Sequence, residues 1–289
     1  MSQLLDIRKR IEVAGQRILT LERAFRDHPN LPSIATNLEA AVRVQEKLQQ
    51  QFEEVAAKAG YDICRYRTFD DYDRPVVGAA FKSIADFQNL VSVVYAAMKY
   101  GLRERATIPD DVAKESTFDL GYLFTGSIGI VLTVRDQKML FDNSLMDQSM
   151  ETVFAMTRAS TPQQVSEFAD KLGPGPINAL YKWVGDNATN GLGAEIDWRK
   201  GQEVQRSVVV QRQELVHLKR TIESTSSKRT KTITVVGMLT MADVSKNRFK
   251  IRPEGLPEIR GTVAVEAIDD KHIVKLPSVY SADFRNDAC

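Results

Sequence analysis

Apolar residues near the start of the chain recur at alternating intervals of three and four: Leu4, Ile7, Ile11, Ala14, Ile18, Leu21 and Phe25. The same spacing returns in Leu38, Ala41, Gln45, Leu48, Phe52, Val55 and Ala59. Such a rhythm is the seam of a helix that packs along one stripe. The two prolines of HPNLPS interrupt it and Gly60 ends it, so residues 1–60 are expected to fold as an antiparallel, coiled-coil-like helical hairpin. Leu5, Leu19, Val42 and Val44 widen the stripe. A lone helical pair buries too little surface to stand by itself, so it must pack on its own domain, on a second copy or on a protein partner. Gln45 at a seam position would fix register in each case.

The period then changes. YDICRY alternates as a strand does, and residues 118–134, FDLGYLFTGSIGIVLTV, read as two strands joined at Thr125-Gly126-Ser127. In the first strand Phe118, Leu120, Tyr122 and Phe124 are expected on one hydrophobic face; the second is apolar on nearly both faces, as a central strand would be. Between these runs, Ser83 and Asp86 suggest a capping box that opens a helix ending at Gly101, followed by a charged connector. Three more helices have start signals at Ser144 with Asp147, at Thr161-Pro162 with Gln164, and at Pro176. Residues 194–199 read as a short strand and residues 203–225 as a helix, although Val208-Val209-Val210 could instead be strand.

STSSKRTKT is polar and small, the composition of a linker, and places a boundary near residue 227. Beyond it come short strand-like runs: ITVVGMLTM, NRFKIRP, EIRGTVAVEAI, HIVKLP and VYSADF. The expected class is therefore α+β: a helical hairpin (1–60), a sheet-and-helix core (61–226) and a small C-terminal β-barrel of SH3-like or OB-like type (227–289).

With 289 residues, 43% of them apolar, the chain can fill a sizeable core. Its net charge of +1 conceals an asymmetry, because residues 1–198 hold 22 Lys/Arg against 27 Asp/Glu and residues 199–289 hold 17 against 11. The two parts carry −5 and +6, which points to an anionic partner for the C-terminal part or to mutual attraction. Cys64 and Cys289 are too few for a disulfide framework, and the N-terminus lacks the apolar run of a secretory signal, so a reducing cytoplasm is the expected location. The uncharged run from Leu120 to Val134 is shorter than the roughly 20 residues a membrane helix needs.

No compact catalytic motif emerges. His28, His217 and His272 are scattered, Gly126-Ser127-Ile128-Gly129 lacks the order of a nucleophile elbow, and Gly191-Leu192-Gly193 lacks a dinucleotide fingerprint. Asp70, Asp71 and Asp73 read as turn chemistry rather than as a calcium loop. Asp119 with Asp136 and Lys138 follows the acid, acid-x-lysine order of a metal-dependent nuclease, but register separates the two acids. A clearer signal is basic: Lys246, Arg248, Lys250 and Arg252 alternate with Asn247, Phe249 and Ile251, and Lys228, Arg229 and Lys231 precede them. Such a ladder binds polyanions such as nucleic acid, or protects an edge strand. The function expected is a non-catalytic intracellular assembly, adaptor or sensor protein, a homo-oligomer or partner-binding protein through residues 1–60, with no cofactor. The alternatives are a nucleic-acid-binding accessory protein and a metal-dependent nuclease.

Overall fold

The computed structural model describes residues 2–70, 77–124, 128–135, 144–228, 231–243, 247–255, 258–262 and 276–286, with side chains described except at residues 2, 226–233 and 283–286. Among them the protein is α+β, with eight helices and two antiparallel sheets. The chain divides into two compact units, residues 1–225 and 226–288.

A five-stranded sheet runs through the first unit in the order β2 (Asp119–Phe124), β3 (Ile128–Arg135), β1 (Tyr61–Asp70), β4 (Leu192–Lys200) and β5 (Glu203–Val210), every neighbour antiparallel. The middle strand is therefore β1 rather than either strand of the 118–134 hairpin. Alternation along β1 sends Cys64, Tyr66 and Thr68 to one face and Ile63, Arg65 and Arg67 to the other. The first face meets a layer of helices: α3 (Val77–Tyr100), α4 (Asp110–Ser116), α5 (Leu145–Thr157), α6 (Pro162–Leu172), α7 (Pro174–Thr189) and α8 (Arg212–Lys228). Phe87, Trp183 and Trp198 are fully enclosed there.

The second face is partly roofed by α1 (Ser2–Asp27) and α2 (Pro32–Lys58), the expected hairpin. Its base, Ile7, Ile11 and Ala14 with Leu48, Phe52 and Ala56, forms a second core with Ile63, Tyr122 and Val131 of the sheet. The Phe52 and Tyr122 rings meet edge to face at 5.2 Å. The hairpin and the core thus share one unit. Toward the tip, Ile18 and Ala41 are buried between the helices without joining this second core.

Several local expectations are overturned. The β2–β3 register shifts between Leu120 and Tyr122, so Phe118 joins the helix side while Tyr122 joins the hairpin side, leaving Leu120 45% exposed. Gly121 permits this bulge, because a Cβ there would lie 2.8 Å from the Val131 carbonyl oxygen and 3.2 Å from the Phe52 ring. Helix α3 begins at Val77, which makes Ser83 a buried interior residue rather than a cap. The connector contains α4, and residues 203–210 are strand β5, because pairing with β4 satisfies their backbone where an amphipathic pattern alone could not decide. Helix α8 runs through Lys228 into the expected linker. By contrast, Ser144–Asp147 and Thr161–Gln164 both form reciprocal capping boxes.

In the second unit β6 (Lys231–Asp243), β7 (Arg248–Pro253), β8 (Ile259–Thr262) and β9 (Ser278–Asn286) form a sheet of order β8-β7-β6-β9. The closed barrel expected there is not formed among the described residues, since β8 and β9 each pair on one side only and the sheet stays open. The strand expected around HIVKLP falls mostly outside those residues.

Candidate functional site

Three surfaces concentrate charge or exposed apolar area. The first is the flank of the hairpin turned away from the sheet. Arg8 donates from one side of α1 to the Leu120 carbonyl oxygen, and Glu53 of α2 reaches the sheet's arginines, so these mark the inward flank. On the opposite flank a groove of about 410 Å³ runs between the helices, lined by Val13, Val44 and Leu48 among other apolar groups and by Lys9, Arg10 and Arg17. Val13 and Val44 are 66% and 56% exposed. Helical spacing places 10, 13 and 17 on one face of α1 and 40, 44 and 48 on one face of α2, so the groove continues the seam outward.

The second surface is ionic and lies beneath α2. Glu53, 4% exposed, sits over β1 and β4 with Arg65 Nε at 3.6 Å and Arg199 Nη1 at 3.3 Å, and it accepts a hydrogen bond from Tyr122 Oη at 3.4 Å. Asp197 stands 3.7 Å from Arg199 Nη2, and the Arg65 guanidinium lies over the Phe124 ring. Burial pushes the Tyr122 hydroxyl well above its ordinary range, so this phenol stays a proton donor. The cluster ties the hairpin to the sheet.

A further polar cluster joins α3 to α7. Lys182 pairs with Asp86 and Lys82 with Asp186, while Lys82 also lies 3.5 Å from Asp86 and Lys182 3.5 Å from Asp186. Burial raises the Asp86 carboxyl, and its hydrogen bond to Asp186 lowers the latter. Beneath it, Trp183 Nε1 donates to Tyr66 Oη at 2.9 Å, and Ser83 Oγ lies 2.6 Å from both Tyr66 Oη and Asn187 Oδ1. Two acids with divergent proton affinities resemble an acid–base pair, but each carboxylate here is matched by lysines, and the quartet serves to clamp two helices. Asp147 plays a comparable role at α5: it completes the cap, accepts from Trp198 Nε1 at 3.0 Å and from Lys200 Nζ at 2.6 Å. Burial pushes its carboxyl upward, but the Lys200, Trp198 and Ser144 hydrogen bonds outweigh that and hold it below the usual range.

That last shift sets a pH dependence. A carboxyl lowered in the folded state contributes stability that is complete above the unfolded value, roughly 3.9, and is lost as pH falls through the folded value. Asp147→Asn is therefore expected to melt at a lower temperature than wild type at pH 7, with the gap narrowing in acid. Thermal melts at pH 7 and at about pH 3 measure it; a gap that does not change with pH would contradict the assignment.

The third surface is the solvent side of the C-terminal sheet. Arg248 and Arg252 are exposed and Lys250 half-buried, while Ile251 between them is 1% exposed on the other face. The residues expected with them, Arg229 and Lys246, lie outside the described residues, as do the side chains of Lys228 and Lys231. Arg260 of β8, which the one-strand pattern did not include, stands opposite Lys250. Of the nuclease set, Asp119 is exposed on β2 opposite Thr133, and Asp136 and Lys138 lie outside the described residues. Among the described residues no group of three or more His, Cys, Asp or Glu could hold a metal ion, and no helix is long and apolar enough to cross a membrane. Compared with protein-family models, curated proteins and solved structures, the chain matches none of them.

Proposed function

We propose that the protein is a non-catalytic assembly or adaptor protein whose helical hairpin receives an amphipathic helix of a partner with acidic flanks. The groove between α1 and α2 carries this reading: exposed Val13 and Val44 form its lips, and Lys9, Arg10 and Arg17 supply its charge. Apolar positions at helical spacing beside a row of cations on α1 are the complement of a helix with a leucine stripe and glutamates along one side of it. Two-fold pairing of two copies through the same flank would set these cations against themselves, which argues for a different partner over self-association. The base of the hairpin is core, so deleting residues 1–60 would uncover Ile63, Tyr122 and Val131 and test folding rather than binding.

The informative variant is Val13→Glu with Val44→Glu in the full chain, both at exposed positions where substitutions usually change stability by less than about 0.5 kcal/mol. Fluorescence anisotropy with a synthetic leucine-striped, glutamate-flanked helical peptide is expected to show binding that weakens with salt and falls at least tenfold in the double variant. A lysine-flanked analogue should bind far less. Equal binding of both peptides, or none of either, overturns the reading; a light-scattering dimer abolished by the same double variant gives the groove to a second copy instead.

A further inference from the structure

The C-terminal sheet places Arg248 and Lys250 where edge protection does not require them. β7 has β6 on one side and, over residues 248–251, β8 on the other, so that span is interior with no free edge to guard. On its solvent face Arg248, Lys250 and Arg252 follow one another at every second residue, about 6.6 Å apart at 3.3 Å per residue. Across the β7–β8 ladder Lys250 faces Arg260, a like-charge pair that costs stability in a sheet. On the β6 side Lys250 faces Met241, so no acid stands opposite it on either neighbouring strand. Among the described side chains two acids temper the patch: Glu258 lies 3.0 Å from Arg260 Nε and 3.7 Å from Arg252 Nη2, and Asp243 is opposite Arg248.

The same face continues into apolar side chains. Arg252 is opposite Met238, and Met238 is opposite Val279 of β9, so all three share one row. Val236, two residues from Met238, shares their face. Val236, Met238 and Val279 are 61%, 46% and 65% exposed. A row of cations beside an uncovered apolar platform suits a chain with charge along one edge and flat, weakly polar groups along the other.

We infer that this face binds single-stranded nucleic acid, with phosphates along Arg248, Lys250, Arg252 and Arg260 and bases laid over Met238, Val236 and Val279. The cation spacing along β7 is comparable to that of successive phosphates on an extended strand, whereas a duplex would hide its bases from the apolar half. No aromatic side chain lies on this face among the described residues: Phe249 alternates onto the Ile251 side, and Tyr280 stands opposite Gly237 on that side too. Binding is therefore led by phosphate, indifferent to sequence and steep in salt.

The test is a titration of the full-length protein with labelled single-stranded and duplex oligonucleotides at several salt concentrations. Four phosphate contacts predict a slope of log K against log salt of about −3 for the single strand. Arg248→Gln, Lys250→Gln, Arg252→Gln and Arg260→Gln together should abolish binding, and Arg260→Gln alone should reduce the slope by about 0.7, which keeps the test alive if the fourfold variant does not fold. Met238→Ser with Val279→Ser should weaken the oligonucleotide severalfold and leave heparin binding unchanged. Absence of binding at low salt, duplex bound as tightly as single strand, or a polyglutamate peptide or anionic vesicle bound as tightly as the oligonucleotide would each overturn the inference. Binding here is independent of Val13 and Val44, so the hairpin variants should not affect it.

Discussion

Glu53→Ala is expected to destabilise the first unit by about 3 kcal/mol, because removing one partner of a buried ion cluster leaves two arginines with Asp197 as their remaining acid. Arg65 and Arg199 reach this carboxylate at 3.6 and 3.3 Å, and the Nε atom of each is buried without a hydrogen-bond partner among the described residues. Their side chains keep 26% and 17% exposure, which places the loss at the lower end of the usual range for buried pairs. For a unit of this size that is a fall of roughly 6 to 12 °C in melting temperature. The coupling has its own signature: once Arg199 is alanine, removing Glu53 should cost distinctly less, since one stranded charge has gone. Additive losses in that double-mutant cycle would show that Glu53 acts through packing of α2 alone.

Gly173→Ala is expected to be about as damaging, although it adds only a methyl group. Gly173 sits between α6 and α7 with φ of 89°, a region where a side chain is strained wherever it points. A Cβ there would lie 2.4 Å from the Arg103 carbonyl oxygen and 2.6 Å from the Arg103 nitrogen, both backbone atoms that cannot rotate away. The close approach has a purpose: Arg103 N–H donates to the Leu172 carbonyl at 2.9 Å and Gly175 N–H to the Arg103 carbonyl at 2.7 Å, stitching the segment after α3 onto the α6–α7 junction. Strain of roughly 1–3 kcal/mol for the backbone conformation adds to the displacement of that stitch. Hydrogen exchange at Arg103 and Gly175 should accelerate in the variant alongside a lower melting temperature; unchanged protection would mean the two segments can separate at little cost.

The experiments on the hairpin and on the C-terminal sheet address different units and different chemistries. The first asks for an apolar groove with cations along one side; the second asks for a cationic row with an apolar platform beside it. Their charge has the same sign, which is why the sheet's test includes anionic probes that lack the shape and the hairpin's includes a peptide of the same shape with the opposite charge.

Patterns that depend on neighbours a few residues away were legible in the chain by itself. The two heptad seams became α1 and α2, because a stripe repeating every three and four residues has one efficient way to be buried. The Ser144–Asp147 and Thr161–Gln164 boxes formed as read, since both partners of each hydrogen bond lie within one turn. The alternation of β7 likewise exposed Arg248 and Arg252 while burying Ile251. Where a residue's fate hung on a distant strand, the sequence was silent. Residues 203–210 became a strand only because β4 offered a ladder, and the bulge at Gly121 separated Phe118 from Tyr122 by letting Phe52 press close. Ser83 has the spacing of a cap but is enclosed by Tyr66 and Asn187. The candidate surfaces divide in the same way. A ladder of cations is visible as an i, i+2 repeat, but that Arg260 joins it and that residues 248–251 of β7 have no free edge are facts of strand order. Glu53, Arg65 and Arg199 meet from three elements far apart in the chain, and no local rule of spacing relates residues whose only connection is that the fold stacks a helix on a sheet.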